Sequence, residues 1–305
     1  MARELDNEFV KELLEGTLKN CLDYVRKDDT LDLEIRENYI NVYYRGGNVL
    51  KVNKNKDNYQ YEFDENYLNA NSVISKDELD KLKIQSDWNN YFPKAKQVMD
   101  FYFFSIKRND EKEFQQLVVR ENNYSSIANG TDYFIIDIEY DNHKNARFDI
   151  IAVEWPSETS KRKLSNNYKP KLVIVEMKYG DGALSGIAGM KKHENDFLSF
   201  ISNTTDLNEF KKEMLCLFKQ KRELGLIPCL SNSNNSNEII ELADNVELTF
   251  LIANHDPASR ILTEELSSLE NLKASFIASN FMGYGIYNHS VHKLSQFKQL
   301  FNLQI

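Results

Sequence analysis

Two blocks of period-two alternation between apolar and polar residues run along this chain, and three-and-four spacing fills much of the rest. In the first block Leu31-Asp32-Leu33-Glu34-Ile35, Tyr39-Ile40-Asn41-Val42-Tyr43-Tyr44, Val49-Leu50-Lys51-Val52 and Tyr59-Gln60-Tyr61-Glu62-Phe63 alternate as strands do, one side chain in and the next out. Turn-forming residues separate them at Glu37-Asn38, Gly46-Gly47-Asn48 and Asn55–Asn58, which predicts an antiparallel meander. A short amphipathic helix carrying Phe9, Leu13, Leu14 and Leu18 precedes it, and helix from about Lys76 to Ile106 follows. The alternating aromatics are expected to bury one face of this small sheet. The other use for the tyrosines and Arg45 is stacking on bases or binding a protein partner.

The second block begins with a helical run at Lys112–Asn122 and a strand at Tyr133–Tyr140, followed by strand-like runs at Ala146–Trp155 and Lys171–Tyr179. The last two are rich in β-branched and aromatic residues, and a polar loop with Pro156 and Pro170 at its ends joins them, so a hairpin is the simplest connection. Helix is predicted from about Ser185 to Ser202, with Ile187, Met190, His193, Phe197 and Ile201 on one apolar stripe, and again around Phe210–Leu224. Strands follow at Val246–Ala253 and Ala274–Ser279, then a turn at Gly283-Tyr284-Gly285 into an edge strand at Ile286-Tyr287. The serine–asparagine run 231–237 reads as a polar loop.

The candidate chemistry lies on the hairpin. Glu176 and Lys178 share one face of their strand, and the antiparallel register sets Asp149 opposite residue 176, 177 or 178. Asp149 joins the other two only if its partner is 176 or 178, because a slip of one residue moves it to the other face. Two carboxylates and a lysine on neighbouring strands are a usual way to hold a divalent metal beside a phosphodiester. The same letters also describe an ordinary Glu–Lys pair on a hairpin surface.

The order helix, three strands, helix, strand over roughly residues 110–255, with Asp149 and the Glu176-Met177-Lys178 run in place, resembles the PD-(D/E)XK nuclease superfamily, the restriction-endonuclease-like fold. Phe148 stands where that motif has proline. The resemblance implies an α+β or α/β chain: residues 1–75 as an accessory helix and β-meander, 76–108 as a helical connector, and 109–305 as the nuclease-like domain. It implies that Asp149 and Glu176 bind Mg²⁺, with Mn²⁺ able to substitute and the Met177 carbonyl as a third protein ligand. Lys178 would then orient or deprotonate the attacking water, or stabilise the pentavalent phosphorus. Glu121, at the end of the first core helix, is the candidate for an additional acidic residue, ahead of Glu113 and Glu111. His193 and Lys192 are candidates for a supporting role or a phosphate contact. Gly180-Asp181-Gly182 is either a phosphate-approaching turn or a plain strand-to-helix connection. Asp137 and Glu139 are expected to form the polar face of the first strand.

Charge and composition narrow the partners. Net charge is −9, yet residues 161–222 hold thirteen Lys/Arg against seven Asp/Glu, so this stretch is net positive and overlaps the candidate site, as a phosphate-tracking surface would. The expected partner is nucleic acid, DNA ahead of RNA, with a protein partner or a homodimer as further possibilities. No run approaches the length of apolar sequence a membrane span needs, which leads us to expect no membrane association. Cys21, Cys216 and Cys229 have neither metal nor disulfide spacing, and with no signal-peptide pattern at the N-terminus a cytoplasmic location is expected. The stretch Ala253-Asn254-His255-Asp256 closes a strand with no nucleophile–base–orienter set in view, and His289 and His292 have no partners at metal-ligand spacing. The resemblance thus implies a Mg²⁺-dependent nuclease, an endonuclease ahead of an exonuclease, in microbial defence, restriction or repair. The alternative is a non-cleaving binding module on the same fold, a subunit of a larger assembly.

Overall fold

The computed structural model describes residues 3–56, 58–68, 74–106, 108–142, 146–162, 168–186, 189–228, 241–256, 259–270, 272–279 and 285–301. Lys163, Ile187, Cys229, the 231–237 run and Gly283-Tyr284 lie outside them. The chain mixes helices with two sheets and divides into two compact units, Met1–Arg120 with Gln220–Ser231, and Glu121–Lys219 with Asn232–Ile305. Among the described residues no helix is long and apolar enough to cross a membrane.

In the first unit α1 (Asn7–Leu14) starts where the Asp6 carboxylate accepts the Phe9 amide at 2.8 Å, and α2 (Lys19–Lys27) follows it. The predicted meander forms as β1 (Leu31–Ile35), β2 (Tyr39–Tyr44), β3 (Gly47–Asn55) and β4 (Asn58–Glu62), antiparallel and in chain order. Helix breaks between α3 (Lys76–Ile84) and α4 (Trp88–Ser105), where Ser86 takes a left-handed φ of 54°. α4 lies on the sheet, its buried Tyr91 donating to the Val49 carbonyl at 2.7 Å. Arg45 turns the β2–β3 hairpin with Gly46, donates from Nε and Nη2 to the two oxygens of Glu113, and donates from Nη1 to Asp100. Arg45 is therefore committed to ion pairs instead of being held out for bases. Both faces of β1 are buried, against its alternation, because Lys221 reaches the carboxylate of Glu34.

α5 (Asp110–Asn123) runs into the second unit. There β5 (Tyr133–Asp141), β6 (Arg147–Glu154) and β7 (Lys171–Tyr179) form an antiparallel meander. The chain then passes through α7 (Met190–Ser202) and α8 (Thr204–Glu223) to β8 (Val246–Ala253), parallel to β7. A further helix, α9 (Arg260–Ser268), leads to the parallel β9 (Ser275–Ser279), and β10 (His292–Lys293) closes that edge ahead of α10 (Leu294–Leu300). A helical turn, α6 (Thr159–Arg162), follows β6. The sheet order is β10-β9-β8-β7-β6-β5, which makes β7 an inner strand with neighbours on both sides and explains its nearly unbroken apolar run.

Three local differences from the sequence reading have simple causes. α7 begins at Met190 and not Ser185, since Gly186 adopts φ 67° and Gly189 caps the helix from an extended conformation. α8 begins six residues ahead of Phe210, at Thr204. The edge strand is 292–293 and not 286–287, because the Ile286 amide is taken by the Asn122 side chain and its carbonyl by the Asp132 amide. Phe148, Phe200, Phe210 and Tyr140 form an aromatic cluster, Tyr140 stacked on Phe148 and the helix rings edge-to-face, that fastens α7 and α8 to β5 and β6.

Candidate functional site

Register decides the first question. β6 and β7 pair from Glu154↔Lys171 to Ile150↔Val175, and one further step brings Asp149 level with Glu176. At that step the ladder opens, and the Asp149 carboxylate takes the Met177 amide at 2.8 Å in place of a backbone acceptor. Asp149, Glu176 and Lys178 thus gather at the end of the hairpin away from its loop.

Glu176 and Lys178 are both almost fully buried, with side chains 3% exposed, and their nearest charged atoms stand 4.0 Å apart. The closer neighbour of Glu176 is His193 on α7, whose Nδ1 lies 2.8 Å from Oε2. A carboxylate oxygen accepts, so Nδ1 carries the hydrogen, and the ring orients Glu176. The other oxygen, Oε1, is buried with no hydrogen-bond donor among the described residues. Asp149 feels the consequence. Burial first, and then the Glu176 charge, hold its carboxyl well above the ordinary carboxylate range, against the Met177 amide and the Lys178 ammonium. Glu139 on β5 adds to that repulsion. It falls at the register position opposite Asp149, where a non-glycine residue takes a left-handed φ of 53°.

A buried carboxylate oxygen without a donor, beside a second carboxylate that resists ionising, is the environment a hard cation relieves. Among the described residues no three His, Cys, Asp or Glu side chains converge as ligands for one ion. The side chains that could face one ion here are two carboxylates, a set as sparse as Mg²⁺, which keeps several waters, can accept.

The remaining candidates fall as follows. Glu121 occupies the last turn of α5, half-buried, with its backbone carbonyl bound by Ser125. The two asparagines after it anchor that turn: Asn123 exchanges two hydrogen bonds with the backbone of Ile135 on β5, and Asn122 holds Ile286. Lys192 points along its helix to Asp196 and is half exposed. Much of the basic stretch is engaged: Lys161 with Glu158, Lys169 with Glu241, Lys171 with Glu154 and Glu247, Lys191 with Glu194, and Lys211 with Asp244. Arg162 gives its donors to the carbonyls of Asn129, Thr131, Trp155 and Pro156. A cavity of about 580 Å³ in the first unit, bounded by Tyr59, Tyr61 and Phe63, contains none of these residues.

Two residues that the sequence leaves apart, Asp181 and His255, meet in the structure. His255, just past β8, lies against Asp181, and Ser259 donates to the same Asp181 oxygen at 2.8 Å. The serine therefore binds the carboxylate and not the imidazole, which is not the order a nucleophile–base pair requires. No signal in the letters connects positions 74 residues apart. Set against family models, curated proteins and solved structures, the chain matches none of them.

Proposed function

We propose that this protein is a metal-dependent phosphodiesterase acting on nucleic acid, DNA ahead of RNA, built on a restriction-endonuclease-like core. The observation that carries the reading is the buried, donor-less Oε1 of Glu176 level with Asp149. The order of α5, the β5–β7 meander, α7 and the parallel β8 is the order that fold requires.

Asp149 and Glu176 would hold Mg²⁺ or Mn²⁺ through carboxylate oxygens, with the Met177 carbonyl beside them. When bound, the ion supplies a Lewis acid for the phosphate and a more acidic water. His193 keeps Glu176 in one orientation through its Nδ1–H. Lys178 supplies a fixed positive charge that offsets charge growing on the phosphate oxygens. Attack of water breaks the bond between phosphorus and the 3′ oxygen, leaving a 5′-phosphate and a 3′-hydroxyl. Exposed pairs such as Lys192–Asp196 stabilise little and can exchange a carboxylate for a phosphate.

A non-cleaving module on the same fold, binding nucleic acid or protein, is the second reading, and the ion pairs that occupy much of the basic stretch favour its protein-binding form. Incubating plasmid, linear and single-stranded DNA, and RNA, with Mg²⁺ or Mn²⁺ separates the two. Cleavage by wild type and none by Glu176→Gln supports the enzyme. Binding without cleavage on every substrate supports the module.

A further inference from the structure

We infer that His255 is a positioning residue for Lys178, acting through the backbone of β7; the inference rests on the phosphodiesterase reading above. Nε2 of His255 lies 3.1 Å from the Lys178 carbonyl oxygen and Nδ1 lies 3.2 Å from Oδ1 of Asp181. A carbonyl only accepts, so the contact with Lys178 is a hydrogen bond in the tautomer that carries its hydrogen on Nε2. Asp181 Oδ1 also takes the Ser259 hydroxyl at 2.8 Å, while Ser259 Oγ accepts the Leu262 amide and caps α9. One chain of polar contacts thus links the end of β7, the turn at Asp181, the residue following β8 and the start of α9.

The direction of the peptide groups shows what this chain does. The Met177 amide faces Asp149 on the β6 side. Successive peptide groups of a strand point to opposite sides, so the Lys178 carbonyl faces β8, where His255 meets it. Asn254, at a left-handed φ of 52° that asparagine tolerates, turns the chain directly after β8 and brings His255 back onto β7. β7 is therefore gripped by a side chain from each flank at two consecutive residues, immediately after Glu176. Its inner position fixes the strand, and the two grips fix the rotation of the segment that carries the Lys178 side chain. The His255 side chain is only 4% exposed, so water does not readily replace it.

The test compares wild type with His255→Ala and His255→Gln. We expect His255→Ala to lower kcat about 10- to 100-fold, the usual range for a supporting group, with KM and Mn²⁺ affinity unchanged. Free imidazole should restore part of that loss, and His255→Gln, which keeps one donor for the Lys178 carbonyl, should retain more activity than His255→Ala. Amide hydrogen exchange at residues 178–180 should quicken in His255→Ala. Full activity in His255→Ala, unchanged exchange there, or a loss that follows the melting temperature and ignores imidazole, overturns the inference and leaves the enzymatic reading standing. A wild-type protein that cleaves nothing overturns both.

Discussion

Each unit buries a lysine beside a glutamate, and the two pairs are built in opposite ways. In the first unit Lys221 and Glu34 meet at 2.6 Å with both side chains fully buried, and the other carboxylate oxygen, which also lacks a hydrogen-bond donor among the described residues, has the Arg36 guanidinium 3.6 Å away. In the second, Lys178 and Glu176 are as deeply buried but stay 4.0 Å apart, with His193 on one oxygen and no donor on the other. A closed pair has its charge answered within the protein and holds two segments together. The open arrangement holds its charges farther apart in a low-dielectric setting and leaves one Glu176 oxygen without a hydrogen-bond donor among the described residues, which is a cost to the fold and a capacity for a ligand.

Breaking the closed pair should have the largest effect. Lys221→Met leaves a buried carboxylate and should destabilise the protein by about 3–5 kcal/mol, while the double change with Glu34→Leu recovers most of it. Urea denaturation of both variants measures this, and equal losses would remove the contrast between the two pairs. Next, Glu176→Gln should reduce metal-dependent cleavage by roughly 10²- to 10³-fold while lowering the melting temperature less than Lys221→Met does, since the amide oxygen can still accept from His193.

The third prediction concerns pH. Asp149's carboxyl is held above the ordinary carboxylate range, so over the window from its unfolded value up to its folded value the folded state binds more protons than the unfolded one. The stability this group contributes is complete below its unfolded value and is lost as pH climbs through that window. Metal-free wild type should therefore fall in melting temperature relative to Asp149→Asn as pH rises above the carboxylate range, and Mg²⁺ should narrow the gap. Parallel curves for the two proteins would mean that Asp149 carries no such strain. The smallest effect is expected at Glu139, whose left-handed φ suits glycine. Glu139→Gly should stabilise the metal-free protein by about 1 kcal/mol through relief of that strain, as read by chemical denaturation.

Strands were the most legible part of the sequence. The bounds of β7 and β8 agree with the alternation and apolar runs that predict them, because inner strands carry their signal in consecutive residues. Helix starts were less so: α7 waits for two glycines that the apolar stripe does not register, and a single left-handed Ser86 splits the helix predicted over 76–106. At the site, period two set Glu176 and Lys178 on one face, while the register that brings Asp149 level with Glu176 came only with the structure. Contacts between distant segments left no trace in the letters. Lys221 reads as one more member of a basic run until folding sets it against Glu34, 187 residues away, and His255 reads as a strand-end histidine until it meets Lys178. A charge count along the chain cannot tell a lysine free to meet phosphate from one committed to a carboxylate.

The Asn123 side chain has a consequence beyond holding α5. Its amide both donates to and accepts from the backbone of Ile135 on β5, the outermost strand of the larger sheet. An asparagine in that position imitates one rung of a neighbouring strand and occupies hydrogen-bonding groups that another polypeptide would need in order to extend the sheet. The same small amide that seats a helix end thus acts as a guard against self-association, and its removal would open β5 to intermolecular strand pairing.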